Sequence, residues 1–499
     1  MELNQALNAL DMLQRKMAAY DHAMGVIYYD GATVAPSGTA QNRGESLAIL
    51  SQVSYELSTC KDTEELLEAL WAEKDRLDEA QTRQVFLLRK SLEELRKIPV
   101  DEFVAYQKLV NEAEDVWHRA KNDDDFAAFC PYIDKIVEAN KKFAGYVKPE
   151  MDPYEYCLDK YEEGLTRETC DNFFAALREK LVPLIRKVCE SENKPDMGLL
   201  SFHAPVEKQR VLSDHLMDVL GMDRAHCAIG ETEHPFTTCF TKYDCRITTH
   251  YHEDALASSL YSVVHEGGHG MYDMGVKDEF AYTCIGGGVS MAVHESQSRF
   301  FENIIGRSRA FVKVIAPKLR ELFPELEKAS DEDLYRAFNE SHPSLIRTEA
   351  DELTYCNHIM VRYELEKALF DGKITAKDLP AEWNRLYKEY LGVDVPCDRE
   401  GVLQDTHWSG GMFGYFPSYA LGSAYGAQLL EKMKESFDVF AAVEKGDLAP
   451  VRNWLSENIW QHGSLYTPTV LMEKAFGGKF DAKYYVDYLT EKFTEIYGL

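Results

Sequence analysis

The stretch Ala255–Gly275, ALASSLYSVVHEGGHGMYDMG, limits what this chain can become more than any other, because it sets His265, Glu266 and His269 in the spacing HExxH within an apolar pattern of helical period. Residues four apart share one helical face, so both imidazoles can reach a single ion. Glu266 lies about 100° further round and can hold a water instead of the metal. Leu256, Leu260, Val263, Val264 and Met271 supply the buried side of the same helix. Gly267, Gly268 and Gly270 each cost a helix about 1 kcal/mol against Ala and read as positions of close backbone approach, with substrate as the approaching group. A third ligand has to come from elsewhere. The pattern HExxHxxGxxH would need Gly and His where Tyr272 and Gly275 stand, so that class is excluded. The alternative is a Glu on a following helix, with Glu279, Glu295 and Glu302 in reach. Glu279 falls in the loop-like DMGVKDEFAYTCIGGG, whereas Glu295 falls in VSMAVHESQSRFFENII, whose apolar residues recur at helical spacing. Glu295 is the expected third ligand, and Glu302, two turns on, is the reserve.

Charge decides which partners to exclude. The chain carries 55 Lys+Arg against 84 Asp+Glu, a formal net charge of -29, which disfavours nucleic acid and anionic membrane surfaces. The opening MELNQALNALDMLQRK has no uninterrupted apolar run and carries acids early. No later segment approaches an uncharged apolar span of about 18 residues, so a soluble, cytoplasmic protein is expected. The eleven cysteines include no CxxC and are expected to be reduced and mostly buried. Cys239 and Cys245, the closest pair, read as core residues of facing strands.

Helical periodicity dominates the rest. Patterns run near 1–35, 41–60, 63–75, 78–97, 101–120, 123–146, 167–192 and 206–220, and again near 308–323, 348–371, 375–391, 428–444, 448–461 and 482–497. The exception is 232–251, TEHPFTTCFTKYDCRITTHY, where β-branched and aromatic residues flank a turn-like KYD; it reads as a hairpin or small sheet beside the metal helix. Residues 401–426, GVLQDTHWSGGMFGYFPSYALGSAYG, read as a loop rich in Gly and aromatics, of the kind that often carries function. No repeat or low-complexity linker divides the chain, and one mainly helical domain over 1–499 is expected.

Two neutral imidazoles and a carboxylate around Zn²⁺ leave a position for water, whose proton Glu266 can take and pass to a leaving amine. The chemistry this supports is amide hydrolysis. The oxygen that becomes negative needs further donors, and His407, Tyr415 and Tyr419 have the right chemical types. The other reading is that the tyrosines pack and His407 satisfies a buried acceptor.

The chain resembles the carboxypeptidase Taq family of zinc metallocarboxypeptidases through HPF at 234–236, DCRIT at 244–248, HEGGH at 265–269, HESQ at 294–297, IRTEAD at 346–351 and GVLQDTHW at 401–408. The likeness reaches YYDGATVAPSGTAQNR near the N-terminus, where Tyr29 stands in place of the family's usual Trp. It implies a mainly α, two-lobed fold similar to neurolysin and angiotensin-converting enzyme. A deep groove would have zinc at its floor and the helical region of about 1–130 flanking it. It implies release of single C-terminal residues with broad specificity, poor release of proline, zinc replaceable by cobalt, and a homodimer. His265, His269 and Glu295 match its metal ligands and Glu266 its catalytic base; Tyr415, Tyr419 and His407 occupy the loop that contacts the scissile carbonyl. Arg347 and Arg246 are the alternatives for holding the substrate carboxylate. His234 and Asp244 shape the rim, and Asp351 reads as structural. The competing readings are an oligopeptidase or dipeptidyl carboxypeptidase on the same scaffold, since the metal motif does not set the cleavage position, and a non-catalytic peptide-binding helical protein.

Overall fold

Helices form over most of the stretches that carry apolar residues at helical spacing, although the one expected over 428–444 is broken between Phe416–Lys434 and Val439–Glu444; the computed structural model describes residues 2–499. The first half runs through Leu3–Thr33, Ala40–Thr59, Lys61–Ala72, Glu79–Lys97, Val100–Asp123, Phe126–Val147, Arg167–Glu190 and Val206–Leu220. Leu10, Leu13, Leu66, Leu67, Leu70, Val85 and Leu92 close a small core of their own near the N-terminus. Nearly all other buried apolar side chains, from Ala113 to Tyr497, belong to one continuous core. Among the described residues no helix is long and apolar enough to cross a membrane.

The expected hairpin is present as the second and third strands of a three-stranded sheet. Strand β1 (Cys227–Glu231) runs parallel to β3 (Asp244–Thr249), β2 (Thr237–Thr241) runs antiparallel to it, and the order is β1-β3-β2. The short CAIGE of β1 gives no alternation to read. Strand alternation divides the sheet's faces. Thr237 pairs with Ile247 and Cys239 with Cys245 on the face against the HExxH helix, where a Cβ on Gly270 would lie 3.0 Å from Cys245 Sγ. Arg246, which pairs with Thr238, is on the opposite face with its guanidinium 5.7 Å from the rings of both Tyr29 and Phe240. Cys239 and Cys245 are joined as a disulfide, which departs from the expectation of a fully reduced set; directly opposed positions on antiparallel neighbours bring their Cβ atoms together.

Two expectations need correction. The loop over 401–426 ends early, because Phe416–Lys434 is a helix and Tyr419 stands on it. Fifteen of its 19 residues are buried, so no polar stripe marks its period, and its glycines imitate a loop. The helix expected from 348 begins at Tyr355. Asp351 occupies the turn before it, accepting from the backbone of His342, Leu353 and Thr354 and from the hydroxyls of Ser341 and Thr354, which is the structural role expected of it. The short helices Pro153–Asp159, Asp331–Phe338 and Pro468–Phe476 were too brief to leave a period.

Candidate metal centre

The HExxH segment lies on Leu256–Met274, and Glu295 lies on Met291–Arg299, which packs against it. Ser290 caps that second helix through the Val293 amide. His265 Nε2 is 3.7 Å and His269 Nε2 is 3.5 Å from the same Glu295 oxygen. A tetrahedral site with bonds of about 2.0–2.1 Å has edges of about 3.3–3.4 Å, so the donor set fits a small divalent ion. These three residues form the metal-ligand cluster found among the described residues.

The reserve candidate Glu302 has a different place. Its Oε2 lies 2.8 Å from His265 Nδ1, the nitrogen turned away from Glu295. The ring therefore donates to Glu302 at Nδ1 and keeps a lone pair at Nε2 for metal. Seven residues separate the two glutamates, two helical turns, and the chain passes into a π-helical turn at Phe300–Gly306. Glu279 sits in the short 3₁₀ turn Asp278–Phe280, outside the cluster.

Arg299, which the sequence reading passed over, ties the two acids together. It donates to Glu295 Oε1 at 2.8 Å and to Glu302 Oε2 at 3.2 Å, and its guanidinium lies 4.1 Å from the Tyr355 ring. Burial would raise the Glu295 carboxyl, but Arg299 and the two histidines outweigh it and hold it well below the usual range. The spacings i+4 and i−3 were visible on one helical face. Glu266 is 6 % exposed, with Oε2 2.6 Å from Thr237 Oγ1 on β2. Its Oε1 has no protein partner among the described residues.

Close approach explains the glycines, but the approaching group is protein. A Cβ on Gly268 would lie 2.6 Å from the Gln297 carbonyl oxygen, so this glycine lets the Glu295 helix touch the HExxH helix. Gly422 does the same on the other side, where a Cβ would lie 2.7 Å from Glu295 Cβ. The reading of substrate approach is therefore replaced by helix packing.

The GVLQDTHW segment works as a clamp. Gln404 Oε1 accepts from the Arg347 amide, and Asp405 pairs with both Arg347 at 2.8 Å and Arg362. Burial would raise Asp405, but the two guanidiniums hold it well below the usual carboxylate range. Glu366 takes Trp408 Nε1, the Gly414 amide and the Tyr154 hydroxyl; burial pushes its carboxyl up to about 7 against the pull of those donors. His407 Nε2 lies 3.2 Å from the Tyr419 hydroxyl, its Nδ1 is buried without a partner, and burial pushes it down to about 4. Tyr415 packs 5.1 Å from Tyr419, and its hydroxyl lies 3.8 Å from Met291 Sδ. Arg347 is buried, with its guanidinium 5.0 Å from the Tyr419 ring. Arg246 is paired with Asp244 at 2.6 Å on the sheet face turned to Leu3–Thr33. His234 is exposed before β2, its carbonyl accepting from Thr232.

The carboxypeptidase Taq (M32) metallopeptidase profile matches residues 9–493. The chain is 40% identical over 491 residues to carboxypeptidase 1 of Bacillus subtilis, covering 98% of both chains. It is 35% identical over 498 residues to thermostable carboxypeptidase 1 of Thermus thermophilus, covering 97% of this chain and 98% of the other. The crystal structure of the M32 carboxypeptidase from Deinococcus radiodurans R1 superposes with a TM-score of 0.96 at 34% identity, covering 99% of this chain and 100% of that one. With the same mainly helical fold and a whole-length match, this chain belongs to the carboxypeptidase Taq family of metallopeptidases.

Proposed function

We propose that this chain is a zinc carboxypeptidase that releases single C-terminal residues from peptides, with broad side-chain tolerance and poor release of proline. The observation that carries the reading is the convergence of His265, His269 and Glu295 on one point, next to a Glu266 that keeps one oxygen free. Two imidazoles and a carboxylate suit zinc, and cobalt can take its place. A bound ion would supply the Lewis acidity that acidifies a water and polarises a carbonyl. Glu266 takes the water's proton at Oε1 and returns it to the departing amine. Tyr419 and Tyr415 donate to the oxygen on which negative charge develops. His407, neutral because it is buried, steadies the Tyr419 hydroxyl. By kinship with the family, the protein works as a homodimer in the cytoplasm.

The ladder of products from unmodified peptides, read by mass spectrometry, tests this. Successive losses of one C-terminal residue are expected. Paired losses or internal cuts would favour the oligopeptidase or dipeptidyl carboxypeptidase reading, and an inert metal-loaded protein would favour a binding role.

Exopeptidase action needs a fixed cation for the substrate's terminal carboxylate, because desolvating that charge inside an acidic protein is otherwise uncompensated. Arg347 suits the role better than Arg246. Arg347 and Arg362 share the single charge of Asp405, so two positive groups against one negative leave one positive charge beside Tyr419. Arg246 is neutralised by its own Asp244 on the far face of the sheet. In Arg347→Ala, kcat/KM for free peptides should fall by about 30- to 1,000-fold, the equivalent of about 2–4 kcal/mol. The parent's preference for free over C-terminally amidated peptides should vanish with it. A variant that keeps that preference, with metal content and circular dichroism unchanged, would pass the role to Arg246.

A further inference from the structure

We propose that His294 and Asp273 are positioning residues that hold His269 in the one tautomer able to bind metal; this rests on the reading of His265, His269 and Glu295 as the ligands. His269 Nδ1 lies 2.6 Å from His294 Nδ1, and His294 Nε2 lies 3.2 Å from Asp273 Oδ1. Asp273 follows His269 by four residues on the HExxH helix, so both face His294 on the neighbouring helix.

The protons can be placed one at a time. A carboxylate only accepts, so a neutral His294 carries its one proton at Nε2, which leaves a lone pair at Nδ1. Two Nδ1 atoms at 2.6 Å need one hydrogen between them, and with His294 accepting, His269 must donate it. That leaves a lone pair on His269 Nε2, the atom 3.5 Å from the Glu295 oxygen. His265 reaches the same state by a shorter route, since its Nδ1 donates directly to Glu302. The two ligands thus have unequal supports, one a carboxylate and the other a carboxylate relayed through an imidazole.

The surroundings fix the relaying ring. A Cβ on Gly288 would lie 2.6 Å from His294 Cδ2 and 2.8 Å from the Tyr272 ring, so the bare glycine backbone is packed directly against both rings. The Tyr272 ring packs on the His294 ring with centroids 5.1 Å apart. The Gly288 amide is directed at the same Asp273 oxygen, at 3.4 Å.

The test is the zinc dissociation constant of the full chain, measured by competition with a chromogenic chelator, together with the visible absorption spectrum of the Co²⁺-loaded protein. His294→Leu fills the space but cannot accept, and should weaken zinc binding by about 10- to 100-fold and alter the cobalt spectrum. His294→Asn places a carbonyl oxygen where His294 Nδ1 stood, and should restore both toward the parent. Asp273→Ala should shift both in the direction of the Leu variant and serves if that variant does not fold. Parent-like zinc affinity and cobalt spectrum in folded His294→Leu, or an Asn variant no better than Leu, would overturn the proposal. A parent protein that binds no zinc would instead overturn the ligand assignment on which it rests.

Discussion

Glu266→Gln should keep its metal and lose about 10²- to 10⁴-fold in kcat, the range expected when a general base is removed. The substitution changes one atom and no volume. Thr237 can still donate to the amide oxygen, which would hold the side chain where the carboxylate was. The nitrogen then occupies the position of Oε1, and an amide nitrogen has no lone pair with which to take a proton from water. Glu266 is not one of the three groups that converge on the metal position, so metal content should stay near one ion per chain. Elemental analysis and peptide turnover on the same preparation check both halves. Substantial turnover in a fully metal-loaded Gln variant would remove Glu266 from the role of base, whereas parallel loss of metal and turnover would make it a structural support of the site.

What the sequence could show depended on how far apart the cooperating residues lie. His265, Glu266 and His269 sit within five positions, and their spacing already fixes which side chains share a helical face. The choice between Glu295 and Glu302 was harder for a physical reason: seven residues put them on the same face, and both do reach His265, one at each nitrogen. Only the three-dimensional path of the helix decides which nitrogen each meets. Asp405 was invisible as a partner because 58 residues separate it from Arg347 and 43 from Arg362. The helix carrying Tyr419 was lost for the opposite reason, since burial on every side erases the pattern by which a surface helix is recognised. Glycine misled twice. At Gly268 and Gly422 its missing Cβ allows two helices to meet around Glu295, where a sequence alone suggests a loop or an approaching substrate.

Glu295→Ala should lose metal far more severely than Glu302→Ala. Glu295 supplies the oxygen at 3.7 and 3.5 Å from the Nε2 atoms of His265 and His269, and without it two neutral imidazoles would remain in the proposed ligand set, with no protein charge in direct contact to offset that of a divalent ion. Affinity should fall by more than about 100-fold, beyond the range of about 10- to 100-fold that loss of an outer partner such as Glu302 brings. Alanine is the informative replacement because it keeps the Cβ against which Gly422 packs, so the contact between the two helices survives. The metal-free variant should also melt below the metal-free parent. Arg299 is largely, not fully, buried and loses one of its two carboxylates, although Glu302 still holds it at 3.2 Å. The cost should therefore stay below the roughly 3–5 kcal/mol of stranding a buried charge altogether. Competition with a chelator measures the affinities, and thermal melts of the stripped proteins measure the stabilities. Retention of full affinity in Glu295→Ala, with collapse of affinity in Glu302→Ala, would reverse the two roles and make Glu302 the ligand.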